Sequence, residues 1–121
     1  MADKRTVLCV DDEEDIIELF TDEFEEAGLN VLKATDGNAA YEIFKNNKID
    51  CIVSDIRMPG GDGVELVKKV KADGSIIPIF LVTGFSDYTS EELMGLGINA
   101  VIFKPFDLDE VVTMVSDVIA I

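Results

Sequence analysis

Four apolar runs in this sequence lead into residues that can do chemistry. "TVLCV" leads into Asp11 and Asp12, "CIVS" into Asp55, "IIPIFLV" into Thr83, and "NAVIF" into Lys104 followed by Pro105. Taken singly, each has a plain structural use. Aspartates suit a helix N-terminus, Asp55 and Thr83 suit turns, and Lys104 suits a surface. Gathered on one rim, three carboxylates repel one another, and a divalent cation relieves that repulsion. Few, hard oxygen ligands fit Mg²⁺ (or Mn²⁺), which keeps several of its waters. Arg57, two residues beyond Asp55, adds a backbone carbonyl. Thr83 and Lys104 can then hold the oxygens of an anion on the far side of the metal. Such a set suits phosphoryl transfer, where catalysis is mainly positioning and charge stabilisation. A carboxylate can itself be the nucleophile and form an acyl phosphate.

These residues share a rim only if the runs before them are parallel strands. The runs are Thr6–Val10, Leu29–Ala34, Cys51–Ser54, Ile76–Val82 and Asn99–Phe103. Most are rich in β-branched residues and apolar on both parities, as strands covered on both faces are. The second is the weakest and suits a more exposed place. Helical patterns alternate with them. Ile16, Phe20, Phe24 and Ala27 recur at helical spacing between Asp12 and Ala27, and Gly28 can close that helix. A second helix begins over 39–44. Asp62 can cap a third, with Val64, Leu66, Val67 and Val70 on its apolar side. The fourth, over 90–96, is short and contains Gly95. Before the fifth, Asp107 and Glu110 form a capping-box pattern, and Leu108, Val111, Val112, Val115 and Ile119 make one stripe. Strand then helix, five times, predicts an α/β fold with a parallel sheet and helices on both faces. Ligands of such sheets bind beyond the carboxyl ends of the strands.

The 121 residues suffice for one domain, over 1–121, and no linker or repeat divides them. The chain stops just after the fifth helix, so no attached output domain is expected. A formal charge of −15 disfavours nucleic acid and anionic membrane as direct partners and favours cations and basic protein surfaces. There is no histidine, which excludes imidazole catalysis and histidine metal ligands. Cys9 and Cys51 lie in apolar runs and read as reduced and buried. The N-terminus lacks a signal peptide's apolar region, and no run could span a bilayer, so a cytoplasmic location is expected.

"VDDE" after the first strand, "SDIRMPGGDG" after the third, "VTG" after the fourth and "FKPF" after the fifth resemble the receiver domain of two-component response regulators. The resemblance runs over essentially the whole chain, in order, and the chain is similar to single-domain chemotaxis regulators. It implies a flavodoxin-like doubly wound sheet in the order 2-1-3-4-5, the order of the family's chemotaxis member. It implies that Asp55 accepts a phosphoryl group from a phosphohistidine on a sensor histidine kinase or phosphotransfer protein. Asp12 and Asp55 would bind Mg²⁺ by carboxylates, Arg57 by its main-chain carbonyl, and Asp11 through water. Thr83 would hydrogen-bond the phosphoryl group, and Lys104 would pair with its charge. The Lys104–Pro105 bond is often cis in the family. Arg57 and Phe85 would border the path of attacking water and modulate dephosphorylation. The output partner is not implied, and the protein would act on its own carboxylate rather than as an enzyme.

The sequence also departs from the family pattern. Val101 stands where an aromatic switch residue is usual, and Phe103 shares its strand face. The segment between Thr83 and Lys104 is one residue short, around the fourth helix. In many members the fourth helix, fifth strand and fifth helix form the output or dimer surface, which is therefore expected to differ here. Gly61 replaces a large apolar residue, which loosens the loop. Other readings fit less well. A haloacid dehalogenase-type phosphatase needs an aspartate where Arg57 stands. "GLGINA" (Gly95–Ala100) precedes a strand rather than following one, so it is no nucleotide fingerprint. A degenerate receiver acting only as a binding module conflicts with the filled positions. "DIRMPG" and "KPFDLDE" also fit a receiver excised from a transcription regulator or hybrid kinase.

Overall fold

The computed structural model describes residues 4–59, 62–84 and 88–119. Its five strands are β1 (Thr6–Val10), β2 (Asn30–Ala34), β3 (Cys51–Asp55), β4 (Ile79–Thr83) and β5 (Ala100–Phe103). All neighbours are parallel, in the order β2-β1-β3-β4-β5. The register sets Val10 beside Ser54 and Asp55 beside Val82, which brings the carboxyl ends of β1, β3 and β4 level.

The helices are α1 (Glu14–Glu26), α2 (Gly37–Asn46), α3 (Gly63–Ala72), α4 (Ser90–Met94) and α5 (Leu108–Ile119). Alternation along the strands divides the core between two layers. Val7, Cys9, Val53, Phe80 and Val82 face Phe20 and Phe24 of α1 and Val111 and Val115 of α5. Leu8, Val10, Ile52 and Leu81 face Ala40 of α2, Val67 and Val70 of α3 and Leu93 of α4. Helices thus cover both faces, and the two-parity apolar runs are explained.

Several boundaries differ from those expected of the sequence. The fourth run loses its first residues, since β4 begins after Pro78, which has no N–H to donate. Ile76 is left 92% exposed. α1 begins at Glu14, not Asp12, and it buries Ile17, Phe20, Thr21 and Phe24 while Ala27 is exposed. Gly28 closes it at φ 90°, a backbone region that glycine enters without strain. α2 starts earlier than expected, because the Asp36 carboxylate accepts from the Ala39 N–H at 2.7 Å. Asp62 caps α3 as expected, accepting from the Glu65 N–H at 2.8 Å. Asp107 accepts from the amides of Asp109 and Glu110 at the start of α5. α4 is short, and a full capping box between Thr89 and Glu92 secures it.

Candidate functional site

Each strand end places one element of the site. Asp11 follows β1 directly and is 3% exposed; its Oδ1 accepts from the Glu13 N–H at 2.9 Å. That bond turns the chain into α1 and holds the carboxylate on the rim. Asp12 is exposed beside it. Asp55 is the last residue of β3 and is buried. Its Oδ1 accepts from the Ile56 N–H at 2.9 Å, and its Oδ2 accepts from Lys104 Nζ at 3.2 Å. Thr83 ends β4, 3% exposed, and its Oγ1 is buried with no hydrogen-bond partner among the described residues. Lys104 follows β5, with its N–H donating to the Thr83 carbonyl at 2.8 Å. Arg57 is exposed two residues beyond Asp55. The expectations for Gly61 and Phe85 fall outside the described residues.

The Lys104–Pro105 bond is cis, and the Phe106 ring stacks on Phe20 of α1, with centroids 5.3 Å apart. Two glycines that sequence reasoning missed make room for the site. A Cβ on Gly63 would stand 2.3 Å from the Asp55 carbonyl oxygen, which no packing can accept. A Cβ on Gly84 would press Lys104 Cβ and Cδ at 3.3 Å. The "DG" of the loop and the glycine after Thr83 carried the signal. Only the fold shows that each touches a site residue.

One carboxylate oxygen from each of Asp11, Asp12 and Asp55 lies within 4.8 Å of the others. Three carboxylates so close supply the hard oxygen ligands that suit a small divalent cation. Burial pushes the Asp11 carboxyl up to about 6; the Glu13 amide opposes this, and the charges of Asp55 and Asp12 add to the rise. At Lys104, burial works to lower the pKa. The charge and hydrogen bond of Asp55, with Asp11 and Glu13, outweigh it, and the ammonium is held above the ordinary lysine value. The buried Thr83 hydroxyl is the clearest sign that the rim is built for an anion. An unsatisfied buried hydroxyl costs about 1–3 kcal/mol, and an oxygen of a bound group would satisfy it. The geometry gathers Asp11, Asp12 and Asp55, pairs Lys104 with Asp55, and puts Thr83 at the end of the neighbouring strand β4.

Val101 is half-buried against the α3 and α4 layer. Phe103 is 59% exposed, so it does not replace an aromatic packed at position 101.

A family model described as "Response regulator receiver domain" matches residues 7–116. The transcriptional regulatory protein FixJ of Bradyrhizobium diazoefficiens is 33% identical over 98% of this chain. The chain spans 58% of that regulator, less than two thirds of its length. Sporulation initiation phosphotransferase F of Bacillus subtilis is 30% identical, over 87% of this chain and 86% of that protein. Among solved structures, response regulator TrrA of Thermotoga maritima, in complex with Mg²⁺ and BeF, is 30% identical. It superposes with a TM-score of 0.84 over 94% of this chain and 98% of that one.

Proposed function

We propose, for a chain that belongs to the response regulator receiver domain family, that Asp55 is the phosphoacceptor of a two-component phosphorelay. The single observation carrying this reading is the Asp55 carboxylate at the end of β3, clustered with those of Asp11 and Asp12 and paired with Lys104 Nζ at 3.2 Å. The donor is a phosphohistidine on a sensor histidine kinase or phosphotransfer protein. An Asp55 carboxylate oxygen attacks phosphorus as the P–N bond breaks. The electron pair returns to the imidazole, which takes up a proton. Lys104 balances charge on the phosphoryl oxygens, and Thr83 donates its hydroxyl to one of them. Asp12 and Asp55 by their carboxylates, Arg57 by its carbonyl and Asp11 through water would hold Mg²⁺ or Mn²⁺. When bound, that ion neutralises charge on the transferring group.

The rest of the reading follows from this chemistry. The protein modifies only itself, so it is not an enzyme acting on a separate substrate. Residues 1–121 act as one receiver, whether alone or joined to an output module. Kinase donors of this kind place it in the cytoplasm. No helix is long and apolar enough to cross a membrane among the described residues. The acidic surface disfavours direct contact with nucleic acid. By resemblance to the family, Arg57 and Phe85 would modulate dephosphorylation, and a phenylalanine can neither accept a proton nor orient a water, which would slow hydrolysis of the acyl phosphate. The filled site argues against a degenerate binding module. The test is labelling by acetyl phosphate. With Mg²⁺ the intact mass should rise by one phosphoryl group, and chelation should abolish the rise. Equal labelling in excess chelator would refute metal-dependent transfer.

A further inference from the structure

Ser54 is a polar residue among apolar ones. On β3 it alternates with Ile52, and Ile56 follows at the same parity; both isoleucines lie in the core layer shared with α2, α3 and α4. Ser54 is 1% exposed. A small apolar residue would fill this place without the cost of burying a hydroxyl. The hydroxyl is committed to one bond, with Ser54 Oγ donating to the Asp55 carbonyl oxygen at 2.8 Å. The β1–β3 register ends at Val10 and Ser54, so that carbonyl lies one residue beyond it. Gly63, the first residue of α3, closes over the same oxygen and leaves no room for a Cβ.

That carbonyl belongs to the Asp55–Ile56 peptide, and the other end of the same peptide holds the Asp55 side chain. The Ile56 N–H donates to Asp55 Oδ1 at 2.9 Å and to the Val82 carbonyl at 3.1 Å. A peptide unit is planar, so its C=O and N–H turn together. A bond that fixes the carbonyl therefore fixes the direction of the N–H, and with it Oδ1. Oδ2 is then left on the side of Lys104 Nζ, 3.2 Å away. We propose that Ser54 is a positioning residue for phosphoryl transfer: its hydroxyl holds the Asp55–Ile56 peptide plane, and the plane holds the Asp55 carboxylate in the orientation that attacks phosphorus. Ser54 touches no reacting atom, and its role rests on the reading of Asp55 as the phosphoacceptor. Alignment of the reacting groups is a large part of such a rate, and small misplacements are costly.

The test compares Ser54→Ala with Ser54→Thr, which keeps the hydroxyl, and with Ile52→Val, which loosens the same core layer and leaves the peptide bond after Asp55 alone. In acetyl phosphate titrations at saturating Mg²⁺, Ser54→Ala should lower the maximal labelling rate about tenfold. The acetyl phosphate concentration that gives half of that rate should not change. Ser54→Thr should restore the rate. Ile52→Val should melt earlier and label as wild type does. In ¹⁵N–¹H spectra of the unlabelled protein without Mg²⁺, the Ile56 amide proton should move upfield in Ser54→Ala, as it does when a hydrogen bond loosens, and stay in place in Ser54→Thr. A wild-type rate in Ser54→Ala, or equal slowing in Ile52→Val, would overturn the proposal. So would an Ile56 signal that Ser54→Ala leaves unmoved. A wild-type protein that takes no label would refute the phosphoacceptor reading instead, and the Ile56 signal, which needs no label, would still report on the Ser54 bond.

Discussion

Asp55 and Phe103 both adjoin Lys104, one as its ion-pair partner and the other as its chain neighbour, yet their surroundings are opposite. Asp55 is a charged group 8% exposed, at the end of a strand flanked on both sides. Phe103 lies on the edge strand and is 59% exposed. Burying a polar group and exposing an aromatic are both unfavourable, and each is tolerated where another molecule corrects it. Asp55 is held by two hydrogen bonds, from the Ile56 N–H and from Lys104 Nζ, whereas Phe103 has most of its surface in solvent. The difference teaches that substitutions at the rim should disturb fold and chemistry together, whereas those at the edge should leave the fold nearly untouched.

Gly63→Ala gives the largest effect. Its Cβ would meet the Asp55 carbonyl oxygen, and relieving such overpacking costs about 1–3 kcal/mol. Denaturant melts should show that loss together with slower labelling. Phe103→Ala should stay within about 0.5 kcal/mol of wild type, as exposed substitutions do. Equal losses in the two variants would erase the distinction between rim and edge.

Thr83→Val sharpens it from the other side. The hydroxyl is buried without a partner among the described residues, so its removal should stabilise the metal-free protein by about 1 kcal/mol while slowing phosphoryl transfer. Destabilisation in that melt would show that the hydroxyl already has a structural bond.

A pH dependence tests the rim in the absence of metal. Asp11 is raised from the ordinary carboxylate value of 3.8 to about 6, with burial as the main cause. A raised folded-state pKa means that the native state holds its proton longer than the unfolded chain does. The stability from this group is therefore full below the ordinary carboxylate range and is lost as pH rises through about 6. Asp11→Asn keeps an oxygen for the Glu13 amide but cannot ionise. Without Mg²⁺, its stability relative to wild type should increase between about pH 4 and about pH 6.5. A constant difference would contradict the raised pKa.

Much of this was legible in the sequence, for physical reasons. Strands covered on both faces read as β-branched runs, and a parallel sheet forces their polar ends onto one rim. Asp11, Asp12, Asp55, Thr83 and Lys104 could therefore be grouped from the sequence alone. The ends of elements were less legible, because single side-chain bonds set them. Asp36 starts α2 by capping Ala39. Asp11 commits its Oδ1 to the Glu13 amide, which keeps both aspartates outside α1. Pro78 delays β4. The spacer roles of Gly63 and Gly84 were hidden, since a glycine's neighbours across the fold leave no mark on local pattern. The exposure of Phe103 was hidden for the same reason: alternation gives its strand face, but not what covers that face at the sheet edge.

The most direct test of the central claim is intact-mass and peptide-mapped labelling by acetyl phosphate with Mg²⁺, in wild type and in Asp55→Asn. One phosphoryl group should appear on the wild-type peptide that contains Asp55, and none on the variant. A variant labelled as fully as wild type, on Asp11, Asp12 or any other residue, would contradict the assignment of Asp55 as the phosphoacceptor.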